Sequence, residues 1–152
     1  MLTGMKILMG LAAIFALVSC GSREPLVVKQ FTLREVDKVW SEDALIQGEG
    51  RKRLYGAVSR KEREDRKGQY YSVRWRASEA GEPVRVEFAY RQASTGSQVK
   101  VLQHELQAAK TGVVEFSITG ESYRTGGRVL SWRMRLYQGE ALLGEQKSFL
   151  WD

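Results

Sequence analysis

One thiol, one imidazole and a surplus of guanidinium groups are the side chains from which this chain could build chemistry. Cys20 is the sole cysteine, so no intramolecular disulfide can form in any compartment. His104 is the sole histidine, which excludes metal sites built on two imidazoles, including the His-x-x-x-His pair of helical zinc sites. A Ser-His-acid triad would have to use His104, in "LQHEL", yet no Gly-x-Ser-x-Gly elbow accompanies it. Two acids roughly 5 to 9 Å apart could cleave a glycosidic bond, but no carboxylate pair stands out by context. Glu115 and Glu121 flank an apolar stretch and Glu140 and Glu145 belong to the final turn and strand, so all four read as solvated. "YRTGGR" lacks the lysine and following helix of a phosphate-binding loop and reads as a turn. The expectation is a protein without catalytic centre, metal or cofactor.

The remaining constellation is basic. The formal net charge is +6, and arginine suits planar contact with carboxylate or phosphate better than lysine does. In "QYYSVRWR", Tyr71, Val73 and Trp75 alternate with Ser72, Arg74 and Arg76, and in "RVLSWRMRLY", Leu130, Trp132, Met134 and Leu136 alternate with Arg133 and Arg135. Period-two alternation is the pattern of a strand with one buried face. If these two strands are neighbours, Arg74, Arg76, Arg133 and Arg135 share one exposed face. Like charges directly opposite across strands repel, so such a face calls for interleaved acids, stagger or an anionic partner. The expected partners are anionic glycans, lipids or an acidic protein surface, and not nucleic acid.

The thiol has its own context. Residues 1–19 carry Lys6, then the apolar run "ILMGLAAIFALV" from Ile7 to Val18, then Ser19 before Cys20. A membrane span needs about 20 apolar residues, so this run suits the core of an export signal rather than an anchor. The four residues Leu17, Val18, Ser19 and Cys20 resemble the lipobox of bacterial lipoproteins. That resemblance implies that Leu17, Val18 and Ser19 are read by the signal peptidase, that Cys20 is lipidated, and that Cys20 becomes the first mature residue. Two or three acyl chains anchor stably where one holds marginally. Gly21, rather than Asp, follows the cysteine, which by analogy with enterobacterial lipoproteins leans towards the outer membrane where there is one. The implied place is the cell envelope, with residues 20–25 as a short lipidated linker.

About 130 residues remain behind the signal, enough for one domain with a single core. "LVVKQFTL", Leu26 to Leu33, reads as a first strand, and Asp37 to Gln47 as a loop or helical turn. "RLYGAVS", Arg53 to Ser59, reads as a strand. Ser59 and Glu62 then have capping-box spacing for a short helix near residues 60–67, with Gly68 in the position of its C′ residue. "PVRVEFAYRQ" alternates Val84, Val86, Phe88 and Tyr90 against Arg85, Glu87 and Arg91, and is expected to form a hairpin with the strand before it. "VKVLQHEL", "VVEFSITG" and a final hairpin closing on "ALLGEQKSFLW" complete seven to eight strands without a βαβ pattern. The fold class is therefore all-β, an antiparallel β-sandwich over residues 26–152, with a small antiparallel β-barrel as the alternative. A tryptophan in a mid-chain strand, Trp75, and the long last hairpin resemble immunoglobulin-like and fibronectin-like domains in architecture. The function expected is a non-catalytic binding or envelope-assembly module, the alternatives being an accessory subunit that docks a larger envelope complex and an enzyme of envelope glycan.

Overall fold

The structure is a computed structural model that describes residues 24–34, 43–107 and 109–152. The lipobox residues Leu17, Val18, Ser19 and Cys20 lie outside the described residues, as does the stretch from Asp37 to Glu42. Seven strands and three short helices follow in the order β1 (Leu26–Leu33), α1 (Ala44–Leu54), α2 (Arg60–Asp65), β2 (Gly68–Arg76), β3 (Val84–Gln92), β4 (Lys100–Leu106), β5 (Thr111–Thr119), α3 (Gly120–Gly126), β6 (Val129–Gln138) and β7 (Ala141–Lys147).

The strands form two separate antiparallel sheets, β1-β2-β5 and β4-β3-β6-β7, so the fold is a sandwich and not a closed barrel. The fourth strand joins the sheet of the third, sixth and seventh, and the first, second and fifth make the other. The expected hairpin between β2 and β3 does not exist, because the two strands lie in different sheets. Each carries a heavy apolar face, and the two faces are stacked on each other across the interlayer. The Tyr71 ring accordingly meets the Phe88 ring across the interlayer, 4.6 Å between centroids. Trp132 stands 5.8 Å from Tyr71 and Phe116 5.3 Å from Phe88. Val73, Val84, Val86, Ile118, Met134 and Leu136 complete this core. Each such side chain contributes about 1.5–3 kcal/mol on burial, and an aromatic pair about 0.5–1.5 kcal/mol more.

Glutamine amides, buried at Gln69, Gln92 and Gln138 and half-buried at Gln146, join what the apolar core leaves open. Gln69 of β2 donates to the carbonyl of Val129 at 3.4 Å and accepts from the Val129 N–H, linking the two sheets at one end. Gln146 of β7 accepts from Val28 N–H of β1 at 2.8 Å, linking them along one side. Gln138 accepts from Ser78 N–H at 3.1 Å and donates to Glu79 O at 2.8 Å, fixing the β2–β3 connection. Gln92, fully buried, donates to Ser122 O and Gly127 O, both at 2.9 Å, and fixes α3.

Several local expectations change. β1 and β4 form where they are read, and the β6–β7 hairpin closes as expected. Residues 53–59 are not a strand: α1, capped by Asp43 accepting from Leu45 N–H at 2.8 Å, runs through Leu54, and the chain then turns at Gly56 with φ +79°. The capping box of Ser59 and Glu62 does start α2. Gly68, however, is the first residue of β2 rather than a helix C′ residue. Its φ is +149°, and a Cβ there would lie 2.0 Å from Ile118 O, so strand pairing with β5 demands glycine. "YRTGGR" is the end of α3 and the turn after it. Leu130 faces out and Val129 in, because Arg91 pairs with Ser131 and Gln92 with Val129, leaving Leu130 as the extra residue of a β-bulge.

Two substitutions test this packing. Gly112 lies against the Trp75 indole, where an added Cβ would come within 2.7 Å of the ring, so Gly112→Ala should cost about 1–3 kcal/mol in denaturant unfolding. The Tyr71 hydroxyl is buried with no hydrogen-bond partner among the described residues, and burial drives its pKa strongly upward. Tyr71→Phe should therefore leave stability unchanged or raise it by about 1 kcal/mol, and a clear loss would show that the hydroxyl is held.

Candidate functional site

The outer face of the three-stranded sheet divides into a covered half and a bare half. Strand alternation sends Phe31 and Leu33 of β1 and Tyr70 of β2 outward, and Leu54 at the end of α1 packs on them as a second, small core. The Arg53 guanidinium lies 4.4 Å over the Tyr70 ring and pairs with Glu115 of β5 and, at 3.4 Å, with Glu49. Arg66 donates to Arg53 O at 2.9 Å and to Tyr55 O at 2.5 Å, while the Tyr70 hydroxyl donates to Arg66 O at 2.6 Å. Burial pushes the Tyr70 phenol above its ordinary pKa, so it remains a donor. α1 contains two glycines and its apolar residues form no strong stripe, so these ties hold it where its own pattern would not.

α2 is fixed at both ends. Glu62 accepts from Ser59 N–H at 2.8 Å and Val58 N–H at 2.9 Å, and these contacts, Ser59 first, hold its carboxyl below the ordinary range. Asp65 pairs with Arg124 of α3 and, at 3.0 Å, with Lys61, and the Arg124 hydrogen bond is the main cause of its lowered pKa.

Beyond these helices the bare half begins. Register places Val27, Arg74 and Val113 side by side across the three strands, with Lys29 one row further in and Arg76 beside Thr111 one row further out. A hollow of about 590 Å³ opens here, lined by Glu24, Val27, Arg74, Trp75, Arg76 and Thr111. Arg74 and Arg76 are exposed, and neither makes an ion pair or a side-chain hydrogen bond with a described residue. Val113 is 67% exposed. The backbone N–H of Arg76 donates to Pro25 O at 2.8 Å, so the described chain enters the sandwich at this corner.

The four arginines expected on one face are thus divided. Arg133 and Arg135 lie on the outer face of the other sheet, because β2 and β6 oppose each other across the core instead of pairing. They are also occupied. Arg135 donates to Glu145 at 2.6 Å, which raises its pKa, and Arg133 lies 3.9 Å from the same carboxylate and 5.0 Å over the Trp151 ring. Arg91 covers Trp151 as well, at 4.5 Å, and donates to Trp151 O at 2.9 Å, so these cations pin the chain's last turn. Glu115, Glu121 and Glu145, which read as solvated, are each ion-pair partners. His104 is exposed at the open side of the sandwich, its ring 4.7 Å from that of Phe116. Among the described residues no three His, Cys, Asp or Glu side chains cluster as metal ligands, and no helix is long and apolar enough to cross a membrane.

What the bare half can do chemically is receive anions. Two adjacent guanidinium groups without an acid between them repel, and an oxyanion would relieve that repulsion through charge-assisted hydrogen bonds.

The carboxylates of α2 supply a pH prediction. Folded pKa values below the unfolded ones mean that the cap and the Asp65–Arg124 clasp are fully present above the unfolded values and are lost as pH falls through the folded ones. An NMR titration should give midpoints below 4.5 for Glu62 and below 3.8 for Asp65, with α2 amides losing exchange protection before those of β2 and β3. Comparison with protein-family models, with curated proteins and with solved structures finds no match to this chain.

Proposed function

We propose that the chain is a lipid-anchored protein of the bacterial cell envelope whose sandwich is a non-catalytic binding or assembly module. The observation that carries this reading is the succession of Lys6, the apolar run, Leu17, Ser19 and Cys20, which suits lipidation and cleavage at one thiol. The sandwich is engaged by Pro25 and Leu26, so the five residue steps from Cys20 to Pro25 reach at most roughly 18 Å. The hollow beside Arg74 and Arg76 is open and arginine-lined, with Glu24 as its one described carboxylate, which suits reception of anions rather than acid–base chemistry. The outer membrane is the favoured destination where the organism has one, on the strength of Gly21.

A second reading, an accessory subunit of a larger envelope complex, is favoured by β4, an edge strand beside which Val99, Val101 and Leu102 are each more than a third exposed. Edge strands with exposed apolar residues are templates for strand addition.

Cys20→Ala should abolish palmitate labelling and move the chain from the membrane fraction, or leave it there as an unprocessed precursor of lower mobility. Unchanged migration and unlabelled wild-type protein would together overturn the anchor.

A further inference from the structure

We infer that the bare half of the three-stranded sheet's outer face, carrying Lys29, Arg74 and Arg76, lies against anionic phospholipid headgroups of the membrane that holds the chain. The inference rests on the proposed anchor at Cys20 for its orientation, and on the charge distribution for its chemistry. Three cations share this half-face. The carboxylate of Glu115, in the same row as Lys29, is already taken by Arg53, which leaves Glu24 at the rim. Val27 and Val113 flank Arg74 and supply apolar contact at headgroup depth. The opposite face has its arginines engaged, Arg133 and Arg135 by Glu145 and Arg85 over the Tyr137 ring at 4.7 Å, while Glu87 accepts from Gln103 at 3.1 Å.

The position of the chain's entry selects the occupant. The linker from Cys20 joins the sandwich at Pro25, whose carbonyl holds the Arg76 N–H, and Glu24 lines the same hollow as Arg74 and Arg76. A tether that short brings this corner to the bilayer before any other surface. Each cation close to an anionic membrane surface gains roughly fivefold in affinity, so three together amount to about a hundredfold. The lipid anchor then sets the distance of the domain, and the half-face sets which way it lies.

The test uses the full processed protein reconstituted in phosphatidylcholine vesicles with and without phosphatidylglycerol, read by intact mass, flotation and hydrogen–deuterium exchange. Amides of β1, β2 and the start of β5 should gain protection only with phosphatidylglycerol. That gain should disappear at about 1 M salt, where charges are screened beyond about 3 Å. Arg74→Glu/Arg76→Glu should abolish the gain, whereas Arg60→Glu/Arg128→Glu, the same change of net charge at exposed sites elsewhere, should keep it. Protection that ignores phosphatidylglycerol in an acylated protein, or that falls on β3 and β6 instead, overturns the docking face and keeps the anchor. A protein without acyl mass that still floats with phosphatidylglycerol vesicles through Arg74 and Arg76 keeps the face and discards the anchor. One that lacks acyl mass and does not float overturns both.

Discussion

Tyr71 against Phe88 is the contact on which the arrangement depends. With a single cysteine in the chain, no intramolecular disulfide can join the two sheets, so the interlayer must be held by packing. The aromatic cluster around these two rings supplies large buried area at the centre. Packing is non-directional, however, and does not by itself fix how one sheet is rotated on the other. Direction comes from the glutamines. The Gln69–Val129 and Gln146–Val28 bonds run from one sheet to the other, and such bonds are costly to leave unmade once their groups are buried. An apolar centre with amide clasps at its margins thus does the work that a disulfide does between the sheets of many secreted sandwiches.

The same two-layer geometry produces two unlike outer surfaces. On the four-stranded sheet the cations are matched by Glu145, stacked on Trp151 or laid on Tyr137. On the three-stranded sheet, α1 and α2 cover one half through Tyr70, Leu54 and Arg53 and leave the other half bare. The helices reach only that far because α1 ends at Leu54 and Arg66 draws the chain back through Arg53 O and Tyr55 O. The boundary between the covered and bare halves is drawn by Glu115, which Arg53 neutralises from the helix side.

Much of this was legible in the sequence. Strand identity and inward faces follow from alternation, as in β2 and β3, because a strand with one buried face must repeat every two residues. The α2 start follows from Ser59 and Glu62, whose mutual hydrogen bonds are local. What alternation does not encode is which sheet a strand joins. Arg74 and Arg133 each point away from an apolar face, and that holds equally for neighbours in one sheet and for partners across the core. The pattern therefore fitted both a shared face and the divided one observed. α1 was illegible for another reason: Arg53, Leu54 and their distant partners hold it by tertiary contacts, and the local stretch "RLYGAVS" reads just as well as a strand.

The bulge at Leu130 has an evolutionary reading. Leu130 is the unpaired residue between Val129 and Ser131, both of which keep partners in β3. Removing it would let β6 pair without interruption, with Val129 still opposite Gln92 and every residue from Ser131 onward on its present side. A one-residue deletion at Arg133 would instead exchange inside for outside along part of the strand. The chain can therefore change length by one residue at this point without rewriting its core, which makes the bulge a natural place for insertions and deletions to have been tried and kept.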